Sequence, residues 1–361
     1  MPRIDQLPAA GFVNTADLVP VARLTGTDPY GNPVWTDYAA TFPVTGPVTP
    51  AAPSIGRNYL HNPRFIVQQR GPGPWTATGY TVDRWTVLCS PAGSRSVTAV
   101  ALIDADRAAF SDDEATVALQ YAFVGGTGVN DFDSFGQRVD TLRRLSGKTV
   151  ALSFWARTIG PAINLGLSVL QYFGTGGSPS ANVTNIGVTQ LALTTAWTRY
   201  TAVVALPSLA GMTLGTNGDD WTQFTFLLST GTYVAGTANV GVQSGTAQFR
   251  GMQVEVGVAA TALEASDPVR DLANCQRSYQ TGQILLEGYQ SASLFFGAVA
   301  APIVTMRVPP TVLVTLNAST NVSNLSITPL AFQRGALQVI GNATVTGACY
   351  VNATYAASAD N

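Results

Sequence analysis

The amino-acid sequence predicts an all-β protein whose main domain is an antiparallel β-sandwich of the jelly-roll kind, and three observations carry that prediction. Apolar and polar residues alternate over many short runs, as they do on strands with one buried face. Turn-forming residues separate the runs, since the 361 residues include 35 glycines and 21 prolines. Charged residues make up only 11% of the chain, against about 25% in typical soluble proteins. Few residues are therefore available for the charged faces of surface helices.

The composition also excludes several classes of function. The net charge is −2, and the basic residues are scattered singly apart from Arg143 and Arg144, so the broad basic surface of a nucleic-acid-binding protein is missing. Hydrophobic residues reach 46%, which excludes a disordered chain. The N-terminus has no basic segment before an apolar core, and the longest apolar stretch, residues 292–304, is too short to span a bilayer. We expect no nucleic-acid partner, no signal peptide and no membrane insertion.

Few side chains are available for metal binding or nucleophilic catalysis. Cys89, Cys275 and Cys349 are far apart, and His61 is the single histidine of the sequence. Zinc sites and Ser-His or Cys-His machinery need several such residues together. We expect three unpaired thiols in a protein folded in a reducing cytoplasm, with neither a cofactor nor a metal site.

Residues 1–55 are predicted to form a separate N-terminal segment. Two short strand-like runs, Val19–Gly26 and Val34–Ala39, flank a dense turn signal. A proline-rich stretch over residues 42–53 favours an extended, semi-rigid linker. Because so small a piece buries little apolar surface, we expect it to be ordered only against its own copies or another protein.

Residues 56–266 carry the most persistent strand pattern and are predicted to form the sandwich. Apolar residues alternate in Thr149–Arg157 and in Arg199–Leu206, among other runs. In Ala247–Val256 the alternation slips at Gly251, which is typical of a β-bulge. No solenoid repeat is found. Many short strands of this kind favour a jelly roll over a β-helix.

Two short helices are predicted to interrupt the strands. The spacing of apolar residues predicts one around Val139–Leu145, ending at the next glycine. Asp267 followed by Pro268 combines an N-cap with a proline at the first helical position, so a connector helix is predicted over residues 267–282. Residues 283–361 are again β-patterned and are predicted to form a C-terminal β-sandwich module.

Several stretches resemble those of tail-fibre and receptor-binding proteins of tailed bacteriophages, and they occur in the order expected for such proteins. Together they span most of residues 1–280. A further stretch, Met306–Val312, is similar to a C-terminal module that these proteins often carry. The matching stretches are Ile4–Ala10, Asp17–Val21, Asn58–Gly71, Tyr80–Trp85, Gln137–Val139, Leu145–Arg157, Phe173–Ser180, Leu214–Asp220, Gln253–Gly257, Ala260–Glu264 and Cys275–Tyr279.

The resemblance implies a structural virion protein, usually a homotrimer, that is made in the bacterial cytoplasm and attaches to the phage particle through residues 1–55. Its implied partners are another virion protein and a host-surface polysaccharide, which many weak sites would bind together. A head-fibre, decoration or baseplate protein without host contact is the alternative, because phage-like head fibres use similar modules. The candidate attachment residues are Ile4, Leu7, Leu18, Val19 and Val21.

Carbohydrate binding is the activity that this role favours, and its candidate residues are aromatic and polar. Flat rings pack under the C–H face of a sugar, while Asp, Asn and Arg bind its hydroxyl groups. Trp75 is expected to be exposed because Gly71–Pro74 places it in an irregular loop, whereas tryptophans in or beside strands are more often core residues. The turn-flanked candidates are Trp75, Tyr80, Tyr172, Asp219, Asp220 and Trp221.

The acidic residues allow two further interpretations. A polysaccharide depolymerase would need two carboxylates at a fixed separation, but the sequence marks out no such pair, so we expect no enzyme and keep the depolymerase as an alternative. Some acidic turns resemble those that hold calcium, but none has the EF-hand spacing, and solvated turn carboxylates are expected instead. These turns contain Asp104 and Asp106, Asp112–Glu114, and Asp131 with Asp133.

Overall fold

The computed structural model describes residues 19–40, 56–110, 112–232, 236, 238–265, 267–300, 304–308, 310–329 and 337–360. The chain divides into two compact units, residues 1–53 and 54–361. The described elements are mostly antiparallel strands, which confirms the predicted all-β class. The candidate attachment residues Ile4, Leu7 and Leu18 lie outside the described residues, as does the proline-rich stretch.

The described part of the first unit is a hairpin of two antiparallel strands, β1 (Val19–Thr27) and β2 (Pro33–Ala40). Asp28 closes the turn between them, because one of its carboxylate oxygens accepts hydrogen bonds from two backbone N–H groups of the turn, at 2.8 and 2.9 Å. The two strands predicted here are therefore confirmed. The candidate attachment residues Val19 and Val21 lie in β1.

The second unit contains a sandwich of two antiparallel sheets, one of six strands and one of five. The strands are β3 (Gly79–Tyr80), β4 (Thr86–Cys89), β5 (Ser94–Ala101), β6 (Val117–Val124), β7 (Phe132–Asp140), β8 (Thr149–Ile159), β9 (Ile163–Tyr172), β10 (Val183–Leu193), β11 (Thr198–Ala205), β12 (Trp221–Thr230) and β13 (Ser244–Val256). The six-stranded sheet has the order β10-β9-β12-β7-β4-β3, and the five-stranded sheet has the order β11-β8-β13-β6-β5. The chain passes repeatedly from one sheet to the other, as in a jelly roll.

Aromatic rings fill the space between the two sheets. Trp85, Phe135, Phe154, Phe226 and Phe249 are all buried, and the ring centroid of Phe135 lies 4.7 Å from that of Phe249 and 4.9 Å from that of Phe226. Burying one such side chain stabilises the fold by about 1.5–3 kcal/mol. The residues next to each phenylalanine face away from the core, because side chains alternate along a strand. The predicted alternation is confirmed, and it leaves the outer faces of both sheets for other contacts.

The predicted β-bulge is present in β13. The pairing of β13 with β8 shifts between Arg250 and Gln253, and Gly251 between them has a φ of +63°. A side chain at this position would be strained, and its Cβ would lie 3.1 Å from Leu263 Cδ2. Arg250, immediately before the bulge, pairs with Trp155 of β8 on the outer face of the sheet.

The first predicted helix is wrong. β7 continues through Asp140, and only a 3-10 turn, Leu142–Arg144, follows it. The apolar spacing around Val139–Leu145 arises because an inward-facing strand residue is followed by a turn in which only Leu142 and Leu145 are buried. By contrast, α1 (Asp104–Phe110) forms where a turn was expected, and its seven residues are too few to produce a helical period in the sequence.

The connector helix, α2 (Pro268–Gln276), follows the sandwich. Asp267 caps it, since its carboxylate accepts a hydrogen bond from the Val269 N–H at 2.9 Å, and this confirms the predicted N-cap. The helix predicted to reach residue 282 is wrong at its C-terminal end, because from Tyr279 onward pairing with the last strand of the chain replaces helical hydrogen bonds. Neither this helix nor any other in the described ranges is long and apolar enough to cross a membrane.

The C-terminal strands form two small antiparallel sheets. They are β14 (Tyr279–Gln290), β15 (Phe295–Ala300), β16 (Thr311–Thr320), β17 (Val322–Pro329), β18 (Leu337–Ala343) and β19 (Gly347–Ser358). One sheet has the order β14-β19-β16 and the other the order β15-β18-β17. Ile284 and Ala353 from the first sheet pack with Val339 from the second in a core smaller than that of the main sandwich.

Replacing the helix cap should weaken the fold measurably. We expect Asp267→Ala to lower the free energy of unfolding by about 1 kcal/mol, because the Val269 N–H loses its acceptor at the start of α2. Asp113→Ala, which removes an exposed turn carboxylate, is the matched control and should change stability by less than about 0.5 kcal/mol. Urea denaturation of both variants measures the difference, and equal stabilities would contradict the assigned cap.

Candidate functional site

Two of the predicted site residues, Tyr172 and Trp221, lie side by side on the outer face of the six-stranded sheet. They are directly opposite each other in the pairing of β9 with β12. Their sequence neighbours Gln171 and Thr222 are fully buried, so Tyr172 and Trp221 point away from the core. Both aromatic side chains are half-buried.

The two rings stack, and a cation lies against one of them. The ring centroids of Tyr172 and Trp221 are 4.7 Å apart with an interplanar angle of 20°. The guanidinium of Arg138, on β7, lies 4.3 Å from the Trp221 ring centroid. Because β9 and β7 flank β12 on opposite sides, the phenol and the guanidinium cover opposite faces of the indole. Trp221 therefore presents only the edge of its ring to its surroundings. The ring face that points away from the stacked pair is the outer face of Tyr172.

Gln223 extends this arrangement along β12. The Nε of Arg138 donates a hydrogen bond to Gln223 Oε1 at 3.3 Å, and the amide nitrogen of Gln223 donates one to Thr225 Oγ1 at 3.0 Å. The guanidinium and the amide are thus held beside the stacked rings. We call Tyr172, Trp221, Arg138 and Gln223 the aromatic row.

Arg138 and Gln223 were missed as site residues at the level of the sequence. The two are opposite each other in the pairing of β7 with β12. Finding them would have required the register between two strands that are about 80 residues apart in the sequence. The alternation of residues within one strand does not contain that information.

Two loops, one after β9 and one before β12, border the aromatic row and are joined by Asp219. Its carboxylate accepts hydrogen bonds from the N–H of Thr175 at 2.8 Å and from the hydroxyl of Thr175 at 2.7 Å. The side-chain amide of Asn217 donates to the same hydroxyl at 2.8 Å. Gly174 permits this close approach, since its φ is +84° and a Cβ there would lie 2.7 Å from Asp219 Oδ1.

The adjacent aspartates have different environments. Partial burial acts to raise the pKa of Asp219, but the hydrogen bonds from Thr175 outweigh it, and the pKa lies below its ordinary value. Asp219 is therefore an ionised hydrogen-bond acceptor beside the aromatic row. Asp220 is buried, and its Oδ2 accepts a hydrogen bond from the Leu142 N–H at 2.7 Å. Its carboxylate supports the turn after β7 and does not face the row.

The remaining two predicted residues lie elsewhere. Trp75 is half-buried against the core, contrary to the exposed ring expected, because two 2.9 Å backbone hydrogen bonds with Val97 hold it at the edge of the five-stranded sheet. Tyr80 lies on β3, at the edge of the six-stranded sheet. The guanidinium of Arg70 lies 5.3 Å from the Tyr80 ring centroid and 3.5 Å from that of Tyr279. Tyr80 therefore packs beside the first C-terminal strand.

The carboxylates considered for calcium binding bond to arginine or backbone groups instead. Asp133 is buried between the sheets, where it accepts a hydrogen bond from the Nε of Arg95 at 2.6 Å. Asp106 accepts one from Arg157 at 2.8 Å, and Asp131 accepts one from a backbone N–H at 2.7 Å. In the parts of the chain that the structure describes, no group of three or more His, Cys, Asp or Glu side chains could hold a metal ion. The three cysteines are free thiols.

A polar cavity of about 420 Å³ lies between α2 and the first residues of the sandwich. His61 lines this cavity together with Asp140, Arg144 and Arg277, so its charges are mixed. Burial, followed by the positive charge of Arg84, lowers the pKa of His61 to about 3, although Asp140 opposes the shift. The imidazole is therefore neutral at physiological pH and is not a cationic group of this cavity.

Comparisons with known proteins give structural likenesses at low scores. No protein-family model matches the sequence, and no curated protein sequence matches it. A family 11 carbohydrate-binding module from Clostridium thermocellum is 10% identical and has a TM-score of 0.30, with 49% of this chain and 91% of that chain covered. The CBM22-1 xylan-binding domain from Paenibacillus barcinonensis is 10% identical and has a TM-score of 0.29, with 53% of this chain and 98% of that chain covered.

A phage protein is also among these structures. The enzymatically active domain of tailspike protein 4 from bacteriophage CBA120 is 13% identical and has a TM-score of 0.32. The likeness covers 56% of this chain but only 22% of the tailspike chain. Scores of this size transfer neither a ligand nor a site residue to this protein.

His61 should make the stability of the protein depend on pH. An unfolded histidine titrates near 6.5 and the folded one near 3, so the unfolded state binds more protons between these pH values. The free energy of unfolding should therefore fall as the pH decreases from about 6.5, by up to about 1.4 kcal/mol per pH unit from this group. Urea denaturation at pH 7, 6, 5 and 4 should show a flatter decline for His61→Gln than for the natural protein. Parallel curves would contradict the assignment.

Proposed function

We propose that this protein binds polysaccharide through the aromatic row and the loops beside it. The observation that carries the proposal is the stacked pair of Tyr172 and Trp221 on the outer face of the sheet, with the guanidinium of Arg138 beside it. Sugars need this combination, because their C–H faces pack on aromatic rings while their hydroxyl groups require donors and acceptors.

The stacked rings determine which aromatic surface a sugar would contact. A pyranose packs against the outer face of Tyr172, because both faces of Trp221 are covered. The Trp221 ring fixes the phenol in place, so little side-chain entropy is lost on binding. Ionised Asp219 and the amide of Asn217 lie at the loop end of the row, where they reach sugar hydroxyl groups. One ring face gives modest affinity, so strong adhesion requires several copies acting together.

The same proposal places the protein on a phage particle, as a fibre made in the bacterial cytoplasm and assembled into the virion. Its support is the ordered set of stretches over residues 1–280 that resemble tail-fibre and receptor-binding proteins. A hairpin unit separate from residues 54–361 suits attachment to another virion protein. The sandwich and the C-terminal strands then carry adhesion to the host surface.

A homotrimer is part of the proposal, and the C-terminal strands support it. In the sheet β14-β19-β16, Ile284 faces the core, whereas Leu285, Tyr289 and Leu313 are 56%, 76% and 70% exposed. The three side chains lie on the same face of the sheet, and exposed apolar side chains on a sheet face can be covered by another protein chain. Association of three copies through this face would remove them from water and bring three aromatic rows together.

We propose binding without bond cleavage. Glycoside hydrolysis needs two carboxylates facing one another across the scissile bond. Beside the aromatic row, Asp219 is hydrogen-bonded to Thr175 and Asp220 is buried under Leu142. This environment supports a hydroxyl acceptor rather than an acid–base pair.

Removing the Tyr172 ring should weaken binding. On a glycan array of bacterial polysaccharides, followed by titration with the best-bound glycan, we expect Tyr172→Ala to raise the Kd about tenfold, since the sugar loses its stacking surface. Tyr172→Phe should bind like the natural protein. Tyr30→Ala removes a tyrosine that is 89% exposed in the hairpin and serves as the matched control. Unchanged binding by Tyr172→Ala at unchanged Tm would overturn the assigned site.

Deleting residues 1–55 should separate assembly from adhesion. We expect the truncated protein to stay soluble and trimeric by light scattering, because the hairpin is a unit of its own, and to bind glycan as before. It should no longer incorporate into phage particles, as measured by its presence in purified virions. Normal incorporation would contradict the proposed attachment role, and a monomeric product would contradict trimer formation through the C-terminal strands.

A further inference from the structure

A second cavity, of about 320 Å³, lies on the outer face of the five-stranded sheet. Its size is at the lower end of the range for small-molecule sites, about 300–1,000 Å³. Arg199, Trp155 and Arg250 lie directly opposite one another on β11, β8 and β13. The residues before Trp155 and Arg250, Phe154 and Phe249, are fully buried. Trp155 and the two arginines therefore point outward, into the cavity that they line.

The floor of the cavity is held by a buried arginine. Arg250 is 1% exposed, and its guanidinium donates to Asp112 Oδ2 at 2.6 Å and to the Val117 carbonyl oxygen at 3.1 Å. Arg64 approaches the same Asp112 oxygen at 3.7 Å and Glu114 at 3.4 Å. One carboxylate is thus shared by two guanidinium groups. The Nε of Arg64 is buried, and the described residues offer it no hydrogen-bond partner.

Arg199 adds a third positive charge. Its guanidinium donates to the Ser153 hydroxyl oxygen at 3.0 Å and to the Thr261 carbonyl oxygen, which are both neutral. The nearest acid, Glu255, already forms an ion pair with Arg57 at 2.9 Å. We call Arg64, Arg199 and Arg250 with Trp155 the arginine pocket. Its lining residues include three guanidinium groups but a single carboxylate, Asp112.

Two carboxylates, Asp112 and Glu114, form ion pairs with guanidinium groups of the pocket, but there are three such groups, so its positive charge is only partly compensated. Burial lowers the pKa of Arg250 below its ordinary value, and the nearby charge of Arg64 acts in the same direction, although Asp112 opposes both. Burial also lowers the pKa of Arg199. An anion inside the pocket would relieve this repulsion and would accept short charge-assisted hydrogen bonds. Arginine suits this task because its planar fork matches a carboxylate.

The walls of the pocket are apolar, which excludes a purely ionic role. Phe110 packs edge-on against Trp155 with their ring centroids 5.4 Å apart, and the guanidinium of Arg250 lies 5.5 Å from the Phe110 ring centroid. Leu263 and Ala262 also line the pocket. A ligand that fits these walls carries an anionic group on a ring with apolar C–H edges.

We infer that the arginine pocket binds an acidic sugar residue, with the carboxylate at Arg64 and Arg199 and the pyranose ring against Trp155 and Leu263. The inference rests on the proposed function and names its substrate class, a polysaccharide containing uronic acid. The pocket lies on the opposite side of the sandwich from the aromatic row, so the two surfaces are independent sites.

Calorimetric titration of the full chain tests the inference with oligogalacturonate and with the same oligomer reduced at its carboxyl groups. We expect the acidic oligomer to bind at least tenfold more tightly than the neutral one. Arg199→Gln should raise the Kd of the acidic oligomer about tenfold and leave that of the neutral oligomer unchanged, since one charge-assisted contact is lost. Arg143→Gln, which removes an exposed arginine of the turn after β7, is the matched control.

Additional variants and ligands distinguish a failure of the arginine pocket from a failure of the aromatic row. Arg64→Gln, which keeps Arg250 paired with Asp112, should reproduce the loss if Arg199→Gln fails to fold. Tyr172→Ala should weaken the neutral oligomer, which binds at the aromatic row, and should leave the tighter binding of the acidic oligomer at the arginine pocket in place. Two results would contradict acidic-sugar binding at the arginine pocket: equal affinities for the two oligomers, or binding of inorganic sulfate as tight as that of oligogalacturonate. Neither result would affect the role proposed for the aromatic row. Absence of binding to every glycan would overturn the proposed function as well.

Discussion

The guanidinium of Arg84 joins parts of the second unit that are far apart in the sequence. It is 4% exposed and donates to the Arg138 carbonyl oxygen at 2.9 Å and to the Ser278 hydroxyl oxygen at 2.5 Å. Ion pairs at 3.3 Å reach Asp140 on β7 and Asp360 near the end of the chain. Burial acts to lower the pKa of Arg84, but these two carboxylates keep it above its ordinary value. A charge buried this deeply is tolerated only while its partners stay in place. The position of β7, which carries Arg138 of the aromatic row, therefore depends on the same contact.

Arginine has this role throughout the protein, and the composition explains why. The chain has 19 Lys and Arg residues, of which Lys148 is the single lysine. Arg95 pairs with Asp133 between the sheets, Arg157 pairs with Asp106 beneath α1, and Arg250 pairs with Asp112. A planar guanidinium can bind a carboxylate and lie over a ring at once, which an ammonium group does less well. A chain poor in charge therefore uses many of its cations inside the fold.

The strands could be predicted from the sequence because alternation is a local property. Phe154 and Phe249 face the core where the pattern placed them, and the slip at Gly251 marked a real bulge. The errors came from short elements. Val139 and Leu142 have the spacing of a helix although a strand ends between them, and α1 is too short to show a period.

The sites could be predicted only in part, for a related reason. Tyr172 and Trp221 stand beside glycine-rich turns, a local signal that singles them out. The arginine pocket draws Arg64, Arg199 and Arg250 from segments more than 50 residues apart, and strand register brings Arg199 and Arg250 together on either side of Trp155. No pattern within one segment contains that information. The exposure expected of Trp75 failed because its loop forms an isolated bridge to Val97.

The back-to-back sheets have a consequence for how a polymer could be held. Packed sheets are about 10 Å apart. The aromatic row and the arginine pocket therefore face opposite directions on the two outer faces of the sandwich. One glycan strand lying along the first surface would have to fold sharply around a sheet edge to reach the second. Two separate strands could occupy both without bending. If both proposed sites bind polysaccharide, one copy of the protein would therefore cross-link two neighbouring chains.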